Sequence, residues 1–263
     1  MWDEIADVVT VGAGPAGLAC AVAAVDAELE VLVTSPGTGT PAGPVPVAEG
    51  IRGWFPDVSD AETVEYFDAL VEELPAVQVP GDAEALQIRA LHEVTADTSR
   101  RAHVETFVGA RLGVWAANCI ASPYGLLFTR VEHWPTTTMR ASTGASFQVA
   151  ALDESAGVPP ASSFTDRLQT LVADRDVDVL DNHPLQRLVF EEGRIVGVVF
   201  DSPDGPWAVR ARVGIALTPP PCPPDTRPLG ADTRIALVGL TGSRFGRVEV
   251  LSTADAPAAV STA

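Results

Sequence analysis

The chain has 263 residues, a hydrophobic content of 46% and a formal net charge of −18, from 35 acidic and 17 basic residues. The hydrophobic content is sufficient for a packed core and excludes a wholly disordered chain. The negative charge excludes nucleic acids and anionic membrane surfaces as partners, since the chain lacks the cationic surface that displaces counterions from phosphates.

The first predicted unit occupies residues 7–33. Residues 7–11 form a β-branched run typical of a strand buried on both faces, and they lead directly into a glycine-rich turn. Residues 18–27 are rich in alanine and predict a helix, and residues 29–33 predict a second strand. The order strand, glycine turn, helix, strand is that of the βαβ unit that binds dinucleotides.

The glycine turn of this unit consists of Gly12, Ala13, Gly14, Pro15, Ala16 and Gly17. In this pattern the first glycine permits a tight exit from the strand, the second lets a pyrophosphate approach the backbone, and the third lets the helix pack closely. The helix N-terminus adds free N–H groups and the positive end of its dipole. We therefore interpret the turn as a dinucleotide site, with a turn that only serves packing as the alternative.

The second half of the predicted fold contains a β-meander. Before the meander, residues 34–50 predict an irregular loop. A helix is predicted to follow, with Ser59 as its N-cap and Glu62 as the capping-box partner, and Pro75 ends it. The meander covers residues 188–212 and turns at Gly-containing segments. The other predicted elements are helices over 109–121 and 164–173 and strands over 147–152, 177–180, 213–217, 234–240 and 247–251.

Several of these segments carry a family resemblance. Residues 8–19 resemble the opening of the FAD-dependent oxidoreductases, and within them the fumarate reductase flavoprotein and 3-ketosteroid dehydrogenase family. Residues 62–70 are similar to the helix after that family's first FAD loop, residues 192–198 to its β-hairpin, and residues 209–217 to the strand that returns to its sheet. The resemblance implies an α/β fold: a Rossmann-like FAD-binding fold with a mostly parallel sheet, a three-stranded β-meander and a small inserted segment.

The resemblance also implies a division of the chain into domains. Residues 1–90 and 156–252 are expected to form a discontinuous Rossmann-like FAD/NAD(P)-binding domain. Residues 91–155 are expected to form a small cap-like insertion, and residues 253–263 a flexible tail.

The implied cofactor is FAD, with its diphosphate on the glycine turn, its ribose at Thr34 and Ser35, and its adenine near the backbone of Leu185. Thr34 and Ser35 stand where the family has an acidic residue, so a ribose would receive single, uncharged hydrogen bonds. Pro219 and Pro220 stand where the family has glycines, and prolines remove N–H donors. FAD is therefore expected to be held weakly or not at all, and NADP is disfavoured because no arginine near Thr34 in the sequence could pair with a 2′-phosphate.

The candidate catalytic residues are Tyr124, Arg130 and His133. In the resembling family, Tyr or Arg donates or takes the proton while the flavin handles the hydride. The alternative is a polar loop in which Trp134 covers the core. No metal site is expected, because the four histidines lack metal-ligand spacing.

The cysteines Cys20, Cys119 and Cys222 are few and widely spaced, which favours a reducing cytoplasm over a disulfide framework. No apolar run reaches the roughly 18 residues that span a bilayer, so membrane insertion is not expected. Two functions remain open. One is an FAD-binding dehydrogenase or reductase of a small, steroid-like or enoyl substrate. The other is a non-catalytic flavoprotein-fold subunit that binds a partner flavoenzyme chain, as part of a homo- or hetero-oligomer.

Overall fold

The computed structural model describes residues 1–37, 47–72, 74, 86–93, 109–130, 136–141, 144–153 and 162–252. The α-helices are α1 (Pro15–Asp26), α2 (Ala61–Val71), α3 (Gly109–Ala121) and α4 (Phe164–Asp174), and a 3₁₀ segment covers Val47–Trp54. The strands are β1 (Glu4–Val11), β2 (Val31–Thr34), β3 (Ile88–Glu93), β4 (Gly125–Phe128), β5 (Thr137–Ala141), β6 (Ser146–Ala151), β7 (Val179–Leu180), β8 (Leu185–Glu191), β9 (Arg194–Ser202), β10 (Gly205–Leu217), β11 (Thr233–Gly239) and β12 (Phe245–Ser252).

Four parallel strands form the part of the sheet that carries the glycine turn. Their order is β7-β2-β1-β10, with Val9 of β1 opposite Leu32 of β2 on one side and opposite Ile215 of β10 on the other. Val8 and Val9 are fully buried, as expected of a strand covered on both faces. The predicted βαβ unit at the start of the chain is therefore confirmed.

The predicted meander is also confirmed, as the antiparallel strands β8, β9 and β10. β10 is 13 residues long and serves two purposes. Its first part pairs with β9, and its last part lies between β1 and β4 in the central sheet. The Rossmann-like α/β fold class thus holds, in a sheet that is mixed: the parallel pairing is concentrated in β7, β2, β1 and β10 and at β3–β12.

The remaining strands close into a ring that the sequence pattern did not predict. Strands β11, β6, β5, β3 and β12 follow one another in the sheet, and β11 also pairs with β12. β4 joins this ring to the parallel strands, because it pairs with β12 on one side and β10 on the other. β4 and β6 belong to the segment 91–155 and are hydrogen-bonded to β10, β11 and β12 outside it. The division into domains stays a prediction.

One helix start differs from the predicted one. The N-cap of α2 is Asp60 and not Ser59. The Asp60 carboxylate accepts hydrogen bonds from the Thr63 backbone N–H at 3.0 Å and from the Thr63 hydroxyl at 2.7 Å. A carboxylate at this position also interacts favourably with the helix dipole, which a serine cannot do.

Two apolar clusters cover the faces of the sheet. One lies between the sheet and α2 and α3, and includes Phe67, Trp115 and Leu188. The other lies between the sheet and α1 and α4, and includes Phe164 and Ile235. Across the described ranges, no helix combines the length and the apolar character that a bilayer-spanning helix requires.

Candidate functional site

The glycine turn lies at the carboxyl end of β1, where a Rossmann-like sheet binds its ligand. Gly12 leaves the strand with a φ of +107°, and its N–H donates to the Thr34 carbonyl at 3.0 Å. Gly14 is the N-cap of α1 and supplies no side-chain cap. The N–H groups of the first turn of α1 therefore have neither an intrahelical nor a capping partner, and they can donate to an anion.

The three glycines of the turn are required for different reasons. A Cβ on Gly17 would lie 1.9 Å from the Gly12 carbonyl oxygen, and a Cβ on Gly12 would lie 2.3 Å from Thr218 Oγ1. Both glycines are therefore required by the packing of the protein alone. A Cβ on Gly14 would meet its nearest neighbour, the Pro219 carbonyl oxygen, at 3.4 Å, an ordinary contact distance. Of these three, Gly14 is the glycine that the described packing does not require.

The segment of residues 218–221 lies against the turn. The Thr218 N–H and hydroxyl both donate to the Val11 carbonyl at 3.1 Å, and the hydroxyl also lies 3.2 Å from the Gly12 carbonyl oxygen. Pro219 and Pro221 follow over Gly14. Proline offers no N–H to a diphosphate, so this segment covers the turn without adding donors.

The cavity beside the turn is small, at about 40 Å³, whereas ligand pockets commonly measure about 300–1,000 Å³. It brings together the predicted residues Gly12, Thr34 and Leu185, but residues 218–221 form one of its walls. The main-chain donors of the turn thus suit a diphosphate, while the described space does not accommodate the rest of an FAD molecule.

The two residues predicted to bind a ribose are already engaged. Thr34 is fully buried, and its hydroxyl donates to the Thr10 carbonyl at 3.4 Å. The Ser35 hydroxyl accepts a hydrogen bond from the Gly37 N–H at 3.2 Å. Neither side chain offers the charged acceptor that an acidic residue would supply.

Sequence reasoning missed two side chains that line the same cavity, Trp54 and His183. The Trp54 indole N–H donates to the Ile120 carbonyl at 3.3 Å, and His183 Nδ1 lies 2.7 Å from the Asp181 carbonyl oxygen. His183 could have been found, because it follows the predicted strand over 177–180. That strand is parallel to β2, and the carboxyl ends of parallel strands meet at one edge. Trp54 lies in a stretch with no such signal.

The predicted catalytic residues do not share a cavity in the described structure. Tyr124 is buried, with its ring edge-to-face against Phe164 at 5.6 Å, and burial raises the pKa of its hydroxyl. Arg130 lines a different cavity, of about 410 Å³. His133 lies outside the described residues. The catalytic roles of these three residues stay predictions.

The cysteines give a first testable expectation. Cys20 and Cys119 are fully buried, and burial raises the pKa of the Cys20 thiol to about 12. Because the thiolate is the reactive form, Ellman's reagent at pH 8 should label partly exposed Cys222 in the folded protein, and the other two only in urea. Prompt release of more than one equivalent of thionitrobenzoate from the folded protein would contradict this burial.

Among the residues that the structure describes, no group of three metal-ligating side chains could hold a metal ion.

Comparison with known proteins identifies a family. The family model described as FAD binding domain matches residues 7–219. No curated protein matches the chain.

Several solved structures align with the chain at low identity. 3-Ketosteroid-Δ4-(5α)-dehydrogenase from Rhodococcus jostii RHA1 aligns at 17% identity and a TM-score of 0.34, over 82% of this chain and 46% of that chain. A flavocytochrome c3 fumarate reductase aligns at 16% identity and a TM-score of 0.32, over 80% and 33%. A geranylgeranyl bacteriochlorophyll reductase-like protein from Thermoplasma acidophilum aligns at 17% identity and a TM-score of 0.30, over 79% and 38%. The chain spans less than half the length of each of these proteins.

Proposed function

Because the chain belongs to the family of FAD binding domains, we propose that it is an oxidoreductase-type flavoprotein whose glycine turn receives the FAD diphosphate when residues 218–221 move off it. The family match confirms the resemblance to flavoprotein oxidoreductases and FAD as the family's cofactor, and nothing indicates NADP. The observation that supports the proposal is the uncapped N-terminus of α1, aimed from Gly14 at the carboxyl edge of the parallel strands.

The turn would hold the diphosphate through main-chain N–H groups of Ala13, Gly14, Ala16 and Gly17, with Gly12 providing the exit from β1 and Pro15 fixing the start of the helix. Bound FAD would supply hydride transfer. Thr34 and Ser35 would give the ribose uncharged contacts, and each missing charge-assisted hydrogen bond costs about 1.5–3 kcal/mol. We therefore expect affinity for FAD to be weak. A small steroid-like or enoyl substrate is proposed from the sequence resemblance alone.

The small cavity favours a second candidate function. If residues 218–221 remain over Gly14, the turn cannot bind FAD, and the chain would then be a non-catalytic subunit that contacts a partner flavoenzyme chain. The two candidates differ in one measurable property, the binding of free FAD by the purified chain.

A titration with FAD tests the proposal. We expect the purified chain to bind FAD with a Kd in the micromolar range or weaker, and the double variant Pro219→Gly/Pro221→Gly to bind it about tenfold more tightly, because glycines lower the cost of displacing the segment. The measurement is the quenching of flavin fluorescence together with the visible spectrum after gel filtration.

The matched control is Pro223→Gly/Pro224→Gly, which alters two exposed prolines that do not line the cavity. This control should bind FAD as the unaltered chain does. If neither the unaltered chain nor the Pro219/Pro221 variant binds FAD at millimolar concentration, the proposal is wrong and the non-catalytic subunit is favoured.

A further inference from the structure

A second cavity is larger than the one beside the glycine turn. It measures about 410 Å³ and lies beside β4, β6 and the loop between β11 and β12. This volume falls within the range of small-molecule pockets, about 300–1,000 Å³. Side chains of Leu126, Phe128, Ala150 and Leu237 give it an apolar wall.

This cavity lies away from the dinucleotide edge of the sheet. Arg130, on its lining, donates from Nη1 to the Arg212 carbonyl at 3.1 Å. Thr218, which covers Gly12, is six residues after Arg212 along the same chain, or about 20 Å at the rise of an extended strand. The apolar wall is nearer to the turn, because Phe128 is opposite Ala216 in β10, two residues before Thr218. The cavity shares no lining residue with the cavity beside the turn, so a ligand bound here would occupy a different space.

Two arginines give the cavity its charge. Arg130 and Arg244 are both partly buried and both line it. Arg244 Nη1 contacts the Tyr66 hydroxyl at 3.1 Å, a neutral partner, as the Arg212 carbonyl is for Arg130. Neither guanidinium forms an ion pair with a carboxylate that the structure describes, whereas Arg212 itself pairs with Asp7 at 3.1 Å. The chain has a net charge of −18, and yet this cavity is lined by two guanidiniums that no described carboxylate neutralises. The lining therefore carries positive charge that an anionic ligand could neutralise.

Polar contacts hold one rim of the cavity in place. The Gln148 amide donates to Thr241 Oγ1 at 2.9 Å and to Thr138 Oγ1 at 3.2 Å, and Gln148 Oε1 accepts from the Thr136 hydroxyl at 3.0 Å. These bonds connect β5 and β6 to the loop after β11. The rim is therefore ordered by side chains of the protein, and the Gln148 amide is fully used in these bonds.

We infer that this cavity binds a small organic carboxylate with an apolar body. A guanidinium presents N–H donors in a fork that matches the two oxygens of a carboxylate. Each of the two arginines uses one Nη1 contact within the described protein, which leaves further N–H donors for a ligand. The apolar wall requires a hydrocarbon or aromatic body, so a bare inorganic anion would satisfy only half of the lining.

Calorimetric titration with 4-phenylbutanoate, its neutral amide 4-phenylbutanamide, and acetate tests the inference. The carboxylate should bind at least tenfold more tightly than the amide, which lacks the charge, and than acetate, which lacks the apolar body. This comparison uses the unaltered protein, so it does not depend on the folding of a variant. Equal binding of carboxylate and amide, or no binding of the carboxylate at 10 mM, would overturn the inference.

Two variants assign the charge. Arg130→Gln/Arg244→Gln should weaken binding of 4-phenylbutanoate at least tenfold and leave binding of the amide unchanged, whereas Arg194→Gln, at an exposed arginine of the meander, should change neither. The single variant Arg244→Lys should bind 4-phenylbutanoate more tightly than the double glutamine variant and more weakly than the unaltered protein. Lysine keeps the positive charge and loses the paired N–H donors of the guanidinium. Added FAD should leave these values unchanged, which separates this cavity from the proposed FAD site.

Discussion

Replacement of Glu249 by glutamine is expected to lower the free energy of unfolding by about 3–5 kcal/mol. Glu249 is fully buried, and it accepts hydrogen bonds from Arg89 Nε at 2.5 Å and Nη2 at 2.8 Å and from Arg247 Nε at 2.5 Å. A glutamine of the same shape carries no charge and turns an N–H group toward one of the guanidiniums. Two positive charges in the strand ring would then lack their counter-ion, and burial penalises an unpaired charge heavily.

The Arg89–Glu249–Arg247 group carries one more positive than negative charge, and aromatic rings lie beside both arginines. The Arg89 guanidinium is 4.4 Å from the centroid of the Phe147 ring, and that of Arg247 is 5.1 Å from the Trp115 ring. Ring faces attract cations and stabilise the excess charge in part. Burial alone would lower the pKa of Arg89, but its hydrogen bonds to Glu249 raise it. The buried guanidinium of Arg89 therefore stays charged because the Glu249 carboxylate is beside it.

Urea denaturation followed by tryptophan fluorescence measures this loss. The matched control is Glu191→Gln, which removes an exposed ion pair to Arg210 at 3.2 Å and should cost less than about 1 kcal/mol. A Glu249→Gln variant as stable as this control would show that the buried group does not need its charge. Replacement of all three residues by apolar ones should recover stability, because no charge is then left buried.

Local patterns were enough to predict the first part of the fold. The run of β-branched residues before Gly12 indicated a buried strand, and the turns at Gly193 and Gly205, both with positive φ, marked the meander. The strand ring could not be predicted this way, because its pairings join distant segments: Arg89 and Glu249 are 160 residues apart. Hydrophobic periodicity indicates which face of a strand is buried, and it does not indicate which strand lies beside it.

The sequence predicted which hydrogen-bond donors the candidate site has. It did not predict the size of the cavity beside them. The sequence placed prolines after the strand that ends at Leu217 and indicated a loss of N–H donors there. That these prolines lie over Gly14 follows only from the parallel register of β1 and β10, in which Val11 is opposite Leu217. The 410 Å³ cavity depends on side chains from three distant stretches, and no single motif signals it.

The glycine turn allows stability and cofactor binding to be separated by two alanine variants. Gly17→Ala is expected to lower the free energy of unfolding by about 3 kcal/mol or more, because its Cβ would lie 1.9 Å from the backbone oxygen of Gly12, which no side-chain rotation can relieve. Gly14→Ala should cost no more than about 1 kcal/mol, the usual difference between these residues at an N-cap, since its Cβ has ordinary contacts.

If the turn holds the diphosphate, the variant with the smaller loss of stability, Gly14→Ala, is the one expected to lose FAD affinity. The Cβ of Gly14→Ala would stand where the pyrophosphate approaches the main chain, so this well-folded variant should bind FAD at least tenfold more weakly than the unaltered chain. Urea denaturation and the FAD titration on both variants give the two quantities. A Gly14→Ala variant that keeps both its stability and its FAD affinity would place the cofactor elsewhere, whereas a stable Gly17→Ala variant would contradict the packing of α1 on β1.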